Sequence, residues 1–140
     1  MFRLDPIPAL RLHEAWPQVV PGLEQVRKRT SPEWWAEDVY LALKTNTAHL
    51  YMCYLDSVYA GFFILVPKLD EHSGKRSLLV WIAYSSDLFT STSAGLQEVY
   101  KLAKAGGFSN VHLYSPRIAW ARRLAREGFK MTEIKFEREI

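Results

Sequence analysis

The sequence has one cysteine, no long apolar run and no glycine-rich phosphate-binding loop, and each absence excludes a class of protein. Cys53 alone can form neither an intrachain disulfide nor a structural zinc site, which fits a reducing compartment. No stretch approaches the roughly 20 apolar residues of a membrane span. The N-terminal segment, which contains Asp5, is unlike a signal peptide. We therefore expect a cytoplasmic protein that does not cross a membrane.

Other common catalytic patterns are missing as well. The sequence has no Walker loop, no G-x-S-x-G nucleophile elbow and no cysteine with a partnered histidine motif. The four histidines show no paired spacing of the kind that metal ligands have, so we predict no metal site. His72 stands beside Asp70 and Glu71, an acidic cluster that could attract an amine but is more simply a solvated loop.

Residues 1–140 have the length and composition of a single domain. Apolar residues make up 49% of the chain and charged residues 24%, as in ordinary globular proteins. The net charge of +3 permits an anionic ligand but does not require nucleic acid. We expect no nucleic-acid partner.

The chain is organised around a predicted strand–helix–strand unit. Leu78–Tyr84 is a near-continuous apolar run, typical of a strand that is buried on both faces. Four apolar residues of the segment after Ala94 fall on one helical face: Leu96, Val99, Tyr100 and Ala103. Gly106 should end that helix, and Val111–Tyr114 gives a second strand. The short links predict that the two strands are parallel, with a right-handed crossover.

The first 44 residues predict an edge strand and two helical regions. Phe2–Leu4 begins the strand, which the prolines at positions 6 and 8 should end. Residues 9–30 are predicted as a helix in two pieces, broken around Pro17 and Pro21. Ser31 and the proline after it predict the start of the next helix, which runs to about residue 44. The expected buried side of that helix comprises Trp35, Val39, Ala42 and Leu43.

A hairpin and a C-terminal helix complete the predicted elements. Residues 48–66 form two strands around a turn at Asp56–Ser57. Arg117–Glu127 is predicted as a helix that stops at Gly128, and Phe129–Ile140 as a terminal strand. The helix has an apolar arc of Trp120, Leu124, Ala121, Ala125 and Ile118, opposite Arg122, Arg123 and Arg126.

This order of elements resembles the GNAT superfamily of acyl-CoA-dependent N-acyltransferases. The segment Leu55–Phe62 is similar to the family's hairpin, the run from Leu78 into the Ala94 helix to its central motif, and Arg117–Phe129 to its last motif. The resemblance implies one α+β domain with a mixed, mostly antiparallel sheet and one parallel strand pair. It also implies an acyl-CoA, such as acetyl-CoA, as co-substrate and a small-molecule or protein amine as acceptor.

Amide formation from a thioester needs a neutral amine, a stabilised oxyanion and a proton for the departing sulfur. The backbone amides of Ile82 and Ala83 are candidate oxyanion donors. Tyr84 and Tyr114 end the two parallel strands, where α/β sheets bind ligands, and either could supply the proton. Asp87 is the candidate base. The plainer alternatives are rim aromatics for the tyrosines and a helix cap for Asp87.

Cofactor binding is expected at the start of the helix that follows the central strand. The amides and dipole of a helix start suit a phosphate, although a plain cap cluster explains the same residues. The candidate contacts here are Ile82, Ala83, Tyr84, Thr90, Ser91, Thr92, Ser93, Ala94 and Gly95. Arg117 is predicted to be the arginine nearest the CoA phosphates, while the other arginines of its helix stay in water.

Two departures from the family pattern support a second hypothesis. The family's Q/R-x-x-G-x-G/A loop corresponds here to Ser85–Gly95, where hydroxyls replace the glycines. Leu124 stands where the family usually has a tyrosine acid, and Arg117 where it usually has Asn. The alternative is therefore a catalytically inactive GNAT-like binding or structural protein, similar to acyltransferase-like proteins of tailed phages. A protein partner or a homodimer is open under either hypothesis.

Overall fold

The computed structural model describes residues 1–86, 89–115 and 120–140, without the side chains of residues 89–92. A 3₁₀ turn, Ala9–Arg11, precedes the first helix. The strands are β1 (Phe2–Ile7), β2 (His49–Leu55), β3 (Val58–Leu69), β4 (Arg76–Ser85) and β5 (Asn110–Leu113). The helices are α1 (Leu12–Thr30), α2 (Ala36–Lys44), α3 (Phe89–Ala105) and α4 (Trp120–Arg126).

The five strands form one sheet in the order of the chain, β1-β2-β3-β4-β5. The first three pairings are antiparallel and β4 pairs with β5 in parallel. This confirms the predicted α+β fold with one parallel pair. Asp56 and Ser57 both have positive φ, at 50° and 67°, as the two central residues of a type I′ hairpin turn do.

Each face of the sheet carries its own core. We call the first the α1–α2 core: Leu12, Val19, Leu23, Val39, Leu43, Ala48, Leu50, Met52, Phe62, Ile64, Val66 and Ile82. We call the second the α3 core: Cys53, Phe63, Leu65, Leu78, Val80, Leu96, Val99 and Ala103. Because β3 and β4 contribute to both cores, the centre of the sheet is covered by helices on both sides.

The prediction that Pro17 and Pro21 break the first helix is wrong, because α1 continues through both. The two prolines lie on the exposed side of the helix with His13. Proline at 17 and 21 leaves the carbonyls of His13 and Pro17 without their helical donors, and on this side water can bond to them. Burial of the opposite side, which includes Val19 and Leu23, offsets the cost of about 3 kcal/mol per proline.

The predicted start of the second helix is also wrong. Ser31 ends α1 in the left-handed conformation, with φ 46°, and its N–H donates to the carbonyl of Arg27 at 2.9 Å. The cap of α2 is Trp35, whose backbone N–H donates to the Asp38 carboxylate at 2.7 Å. Trp35 is exposed under the Arg27 guanidinium, 3.7 Å from its ring centre, and Trp34 packs on the α1–α2 core instead.

The structure corrects three further expectations, one on the length of β1 and two on which side chains are buried. β1 continues through Pro6, which an edge strand tolerates because its free side needs no donor. Tyr100 is exposed, while Leu96, Val99 and Ala103 are buried as predicted. Within the described part of α4, Ala121 and Ala125 are exposed, and Leu124 packs on the α3 core.

The predicted terminal strand is not formed. Gly128, with φ 86°, ends the last helix as expected, and Phe129 packs partly on the α3 core. Residues 130–140 have no regular structure and are exposed throughout. The alternating pattern alone does not form a strand, since a strand needs a neighbour to bond its backbone.

Candidate active site

The parallel strands β4 and β5 separate part of the way along the sheet. Their pairing ends at Val80 with Leu113, whereas β4 continues to Ser85. No described strand therefore lies beside residues 81–85 on the side where β5 would continue. This opening lies at the carboxyl ends of the parallel strands, where α/β sheets bind ligands.

A β-bulge in β4 lies at the start of this opening. Ile64 pairs with Ile82, and the next residue, Leu65, pairs with Val80, so Trp81 is an extra residue. The bulge reverses the side-chain alternation, which places Val80 in the α3 core and Ile82 in the α1–α2 core.

The backbone beyond the bulge presents Ala83 to the opening. Ser86 N–H donates to the Ala60 carbonyl at 2.9 Å, and the Tyr84 carbonyl lies against Gly61, so both point toward β3. Because backbone groups alternate along a strand, Ile82 also points toward β3, and Ala83 points toward the open side. Of the two predicted oxyanion donors, Ala83 is therefore the one that faces the opening.

Two glycines allow the close packing that positions this end of β4. A Cβ on Gly61, whose φ is +143°, would lie 2.0 Å from the Tyr84 carbonyl oxygen. A Cβ on Gly22 of α1 would lie 2.7 Å from the rings of Phe62 and Tyr84. The helix therefore presses directly on the Tyr84 ring, whose centre is 5.6 Å from that of Phe62.

Tyr84 and Tyr114 lie on the same face of the sheet, on opposite sides of the opening. Tyr84 packs on the α1–α2 core. Leu113 packs on the α3 core, so the alternation directs Tyr114, the next residue, toward the α1–α2 face. Tyr114 is 76% exposed and lies just past the end of β5.

Tyr59 lies near this end of the sheet, and the sequence analysis did not single it out. Its ring meets that of Tyr54 edge-on at 6.3 Å, and its buried hydroxyl has no hydrogen-bond partner among the described residues. Burial, with smaller contributions from Tyr84, Cys53 and Tyr54, raises the pKa of Tyr59 well above its usual value. The sequence gives no signal for this hydroxyl, because an aromatic residue in a strand is usually there for packing.

Helix α3 starts on the other face of the sheet, at the same end of the strands, where Gly95 lies against Phe63 of β3 and near Phe2 of β1. Gly95 is buried, and a Cβ there would lie 2.7 Å from the Phe63 ring, so the helix start lies directly on β3. The N–H groups of the first four residues of any helix lack an internal acceptor. In α3 these are residues 89–92, which include Thr90, Ser91 and Thr92; their side chains lie outside the described residues.

The hydroxyl of Ser93 bonds to Glu127, the residue that follows α4. It donates to Glu127 Oε1 at 2.5 Å, and Gln97 Nε2 donates to Glu127 Oε2 at 3.3 Å. These two bonds, with the Ser93 bond the larger cause, hold the pKa of Glu127 below its ordinary value. Ser93 and Ala94 are thus close to a carboxylate, which acts at this helix start against an anionic ligand.

An open cavity of about 350 Å³ lies beside this contact, lined by Arg122, Arg123, Arg126 and Glu127. Three guanidinium groups against one carboxylate give it a positive balance. Arg123 also stacks on Trp120, 5.2 Å from its ring centre. Asp87, Ile118 and Arg117 lie outside the described residues, so the predictions for the base, the end of the apolar arc and the nearest arginine stay predictions.

The remaining candidate groups have structural roles. The Asp70 carboxylate accepts bonds from the N–H groups of His72 and Ser73, at 2.9 and 3.3 Å, which lower the pKa of Asp70 and close an exposed turn. No cluster of three metal-ligand side chains occurs in the described ranges. Of the helices that the structure describes, none has the length and apolar character needed to cross a membrane.

Comparison with solved structures gives close likenesses over nearly the whole chain. An aminoglycoside acetyltransferase from an uncultured soil metagenomic sample superposes with a TM-score of 0.73 at 12% identity, covering 99% of this chain and 96% of its own. A ribosomal-protein-alanine N-acetyltransferase from Brucella melitensis biovar Abortus 2308 gives 0.69 at 16% identity, covering 100% and 98%. This chain has the GNAT acetyltransferase fold.

A third GNAT-fold neighbour, glucosamine-6-phosphate N-acetyltransferase from Arabidopsis thaliana, gives a TM-score of 0.66 at 7% identity, covering 99% of this chain and 98% of its own. No protein-family model and no curated protein sequence matches the chain. The names of these three neighbours indicate different acceptors, an aminoglycoside, a protein alanine and a sugar phosphate. The GNAT fold therefore indicates no particular acceptor.

Proposed function

We propose that this GNAT-fold chain transfers an acyl group from an acyl-CoA to an amine. The observation that carries the proposal is the opening beside residues 81–85 of β4, which presents the backbone of Ala83 at the edge of the sheet. An extended pantetheine arm has amide groups that can pair with such an edge as a further strand does. Helix α3 starts at the same end of the strands, and the amides of its first turn, which lack an acceptor within the helix, suit a phosphate.

In the reaction, the lone pair of a neutral amine attacks the thioester carbonyl. The new C–N bond forms, the C–S bond breaks, the amine loses one proton and the CoA thiolate gains one. The Ala83 N–H is the candidate donor to the carbonyl oxygen as it gains negative charge. Tyr114, exposed across the opening, is the candidate proton donor to sulfur. Tyr84, whose ring is fixed between Phe62 and Gly22, is the candidate that positions the acceptor.

Asp87 follows β4 in the chain and is the proposed base, and Arg117 the proposed contact to the CoA phosphates. The arginine-lined cavity on α4 provides a second positive surface near the start of α3. Acetyl-CoA is the first donor to test, since the structural neighbours are acetyltransferases.

Calorimetry with acetyl-CoA and with desulfo-CoA tests the cofactor. We expect both to bind, and Ala83→Pro to weaken binding about tenfold, because it removes one N–H worth about 1.4 kcal/mol. Proline is tolerated where the N–H faces away from a neighbouring strand, so the fold should persist, as circular dichroism would verify. The matched control, Ala83→Ser, keeps the N–H and should bind normally. Absence of binding heat at about millimolar ligand would exclude both the binding of acyl-CoA and the proposed acyl transfer.

Thiol release from acetyl-CoA in the presence of an amine panel tests catalysis. Tyr114→Phe should lower kcat by about 10²-fold while binding of acetyl-CoA is unchanged, because only proton transfer is lost. Tyr84→Phe should change the KM for the amine more than kcat. Equal activity of both variants and the original protein would exclude the tyrosines from the chemistry.

A non-catalytic binding protein is the second candidate, and Leu124 is the observation that favours it. This residue stands at the position of the family's usual acid and packs on the α3 core, so it is a packing residue. The Glu127 carboxylate near the start of α3 also acts against anion binding. Capture of a stable protein partner by a chain that gives no heat with CoA would support this candidate.

A further inference from the structure

The C-terminal segment has the pattern of a half-buried strand. Residues 132–140 alternate, and one side carries Ile134, Phe136 and Ile140 together with Thr132 and Arg138. The opposite side consists of Glu133, Lys135, Glu137 and Glu139. In the single chain the apolar side is exposed, Ile134 by 65% and Phe136 by 89%. Burial of each of these large apolar side chains would contribute roughly 1.5–3 kcal/mol of stabilisation.

The sheet has a free edge of matching character at β5. This strand is last in the sheet order and pairs only with β4 among the described strands. Val111 and Leu113 pack partly on the α3 core, and His112 is exposed on the other face. A free edge with half-buried apolar residues is a template for another strand.

Within one chain this edge and this strand do not cover each other. Phe129 is held by its N–H bond to the Leu124 carbonyl at 3.0 Å and by its contact with the α3 core. Residues 130–140 then leave the molecule and are exposed throughout. The segment starts near the sheet, because the neighbouring Glu127 bonds Ser93 at the start of α3, yet it forms no ladder with β5.

We propose that residues 132–140 form a strand on the β5 edge of a second copy of this chain. Ile134 and Phe136 then lie beside Val111 and Leu113 of the other copy and extend its α3 core. The opposite side of the segment, with three glutamates and Lys135, lies beside the His112 face of β5, so carboxylates lie next to an imidazole. Because each copy has one such strand and one such edge, the exchange is reciprocal and closes as a two-fold dimer.

Light scattering coupled to size-exclusion chromatography tests the dimer. At about 100 µM, well above a micromolar dissociation constant, we expect twice the chain mass of 16.2 kDa. Phe136→Glu should give a single-chain mass with the helical circular-dichroism signal retained, because this side chain has no role in the core of one copy and only the exchanged strand is lost. Leu41→Glu is the matched control, an apolar residue on α2 with 64% exposure, and it should stay dimeric.

Hydrogen–deuterium exchange separates a partner strand from a strand folded back on its own chain. Amides 132–140 should be protected in the dimer and exchange freely in the Phe136→Glu monomer. A single-chain mass for the original protein overturns the proposal, and so does a dimer that survives Phe136→Glu. Protection of the segment in a monomer also overturns it, because the strand would then pair within one copy.

Discussion

At the residue scale, two groups whose pKa values are raised far above the ordinary range lie on neighbouring strands. Cys53 pairs with Gly61, and Tyr54 with Tyr59, at the hairpin end of β2 and β3. Burial raises the pKa of the Cys53 thiol to about 12 and also raises the pKa of the Tyr59 hydroxyl well above its usual value. Neither group is therefore a nucleophile near neutral pH.

The raised pKa predicts an unreactive thiol. At pH about 8, where a free cysteine is partly ionised, a disulfide reagent such as dithionitrobenzoate should react with the native protein at least about 100-fold more slowly than with the urea-unfolded chain. The cause is that Cys53 is 4% exposed and neutral in the fold. A Cys53→Ala variant gives the baseline. Equal rates in the folded and unfolded states would contradict the burial of the thiol.

At the element scale, the position of α3 depends on the absence of a side chain at Gly95. The Phe63 ring fills the space where a Cβ would lie, at 2.7 Å. An alanine would gain up to about 1 kcal/mol in helix propensity, so propensity and packing oppose each other here. Packing should decide, because an aromatic ring in the α3 core has little room to move.

We therefore predict that Gly95→Ala lowers the free energy of unfolding by about 1–3 kcal/mol. It should also weaken acetyl-CoA binding, because the start of α3 moves from the sheet edge. Tyr100→Ala, on the exposed side of the same helix, should stay within about 0.5 kcal/mol of the original. Urea unfolding measures both, and a Gly95→Ala protein more stable than the original would show that propensity decides.

The contact between Glu127 and α3 predicts a pH dependence. The pKa of Glu127 is lowered in the fold, so its contribution is complete above the ordinary value of 4.5 and is lost as pH falls through the lower folded value. Glu127→Gln should therefore lower Tm at pH about 7, and the difference from the original protein should shrink as the pH falls below the ordinary value of 4.5.

Glu33→Gln is the control for this pH series, since Glu33 lies in an exposed segment between α1 and α2. Its Tm should follow the original protein at every pH. A difference between Glu127→Gln and the original that stays constant down to pH about 3 would mean that the carboxylate charge contributes nothing at this contact.

At the scale of the whole molecule, local patterns were sufficient for much of the fold. The turn at Asp56–Ser57 and the βαβ unit around Leu78–Tyr84 depend on neighbouring residues, and the structure confirms both. The path of α1 through Pro17 and Pro21 depends instead on burial against the sheet, which the sequence does not reveal. The alternation in residues 132–140 was visible, but a strand also needs a partner, and no local pattern identifies one.

The candidate site was predictable to a similar extent. The edge at Ala83 and Tyr84 follows from the end of a buried strand, and the structure places both at the opening. The bulge at Trp81 and the buried hydroxyl of Tyr59 come from register and packing between distant segments. The engagement of Ser93 by Glu127 joins residues 34 positions apart, so reasoning from local motifs could not find it.

We propose that acyl-CoA binds along the opening of β4 and at the start of α3. Amide NMR of ¹⁵N-labelled protein titrated with acetyl-CoA tests this binding mode, because each backbone amide gives its own signal. We predict shifts at Ala83, Tyr84, Tyr114 and the first turn of α3, while Arg3 and Asp5 on the far edge of the sheet, which do not pack on the α3 core, stay unchanged. This binding mode would be contradicted if saturating acetyl-CoA shifted no amide signal of β4 or α3, or shifted only amide signals of the far edge.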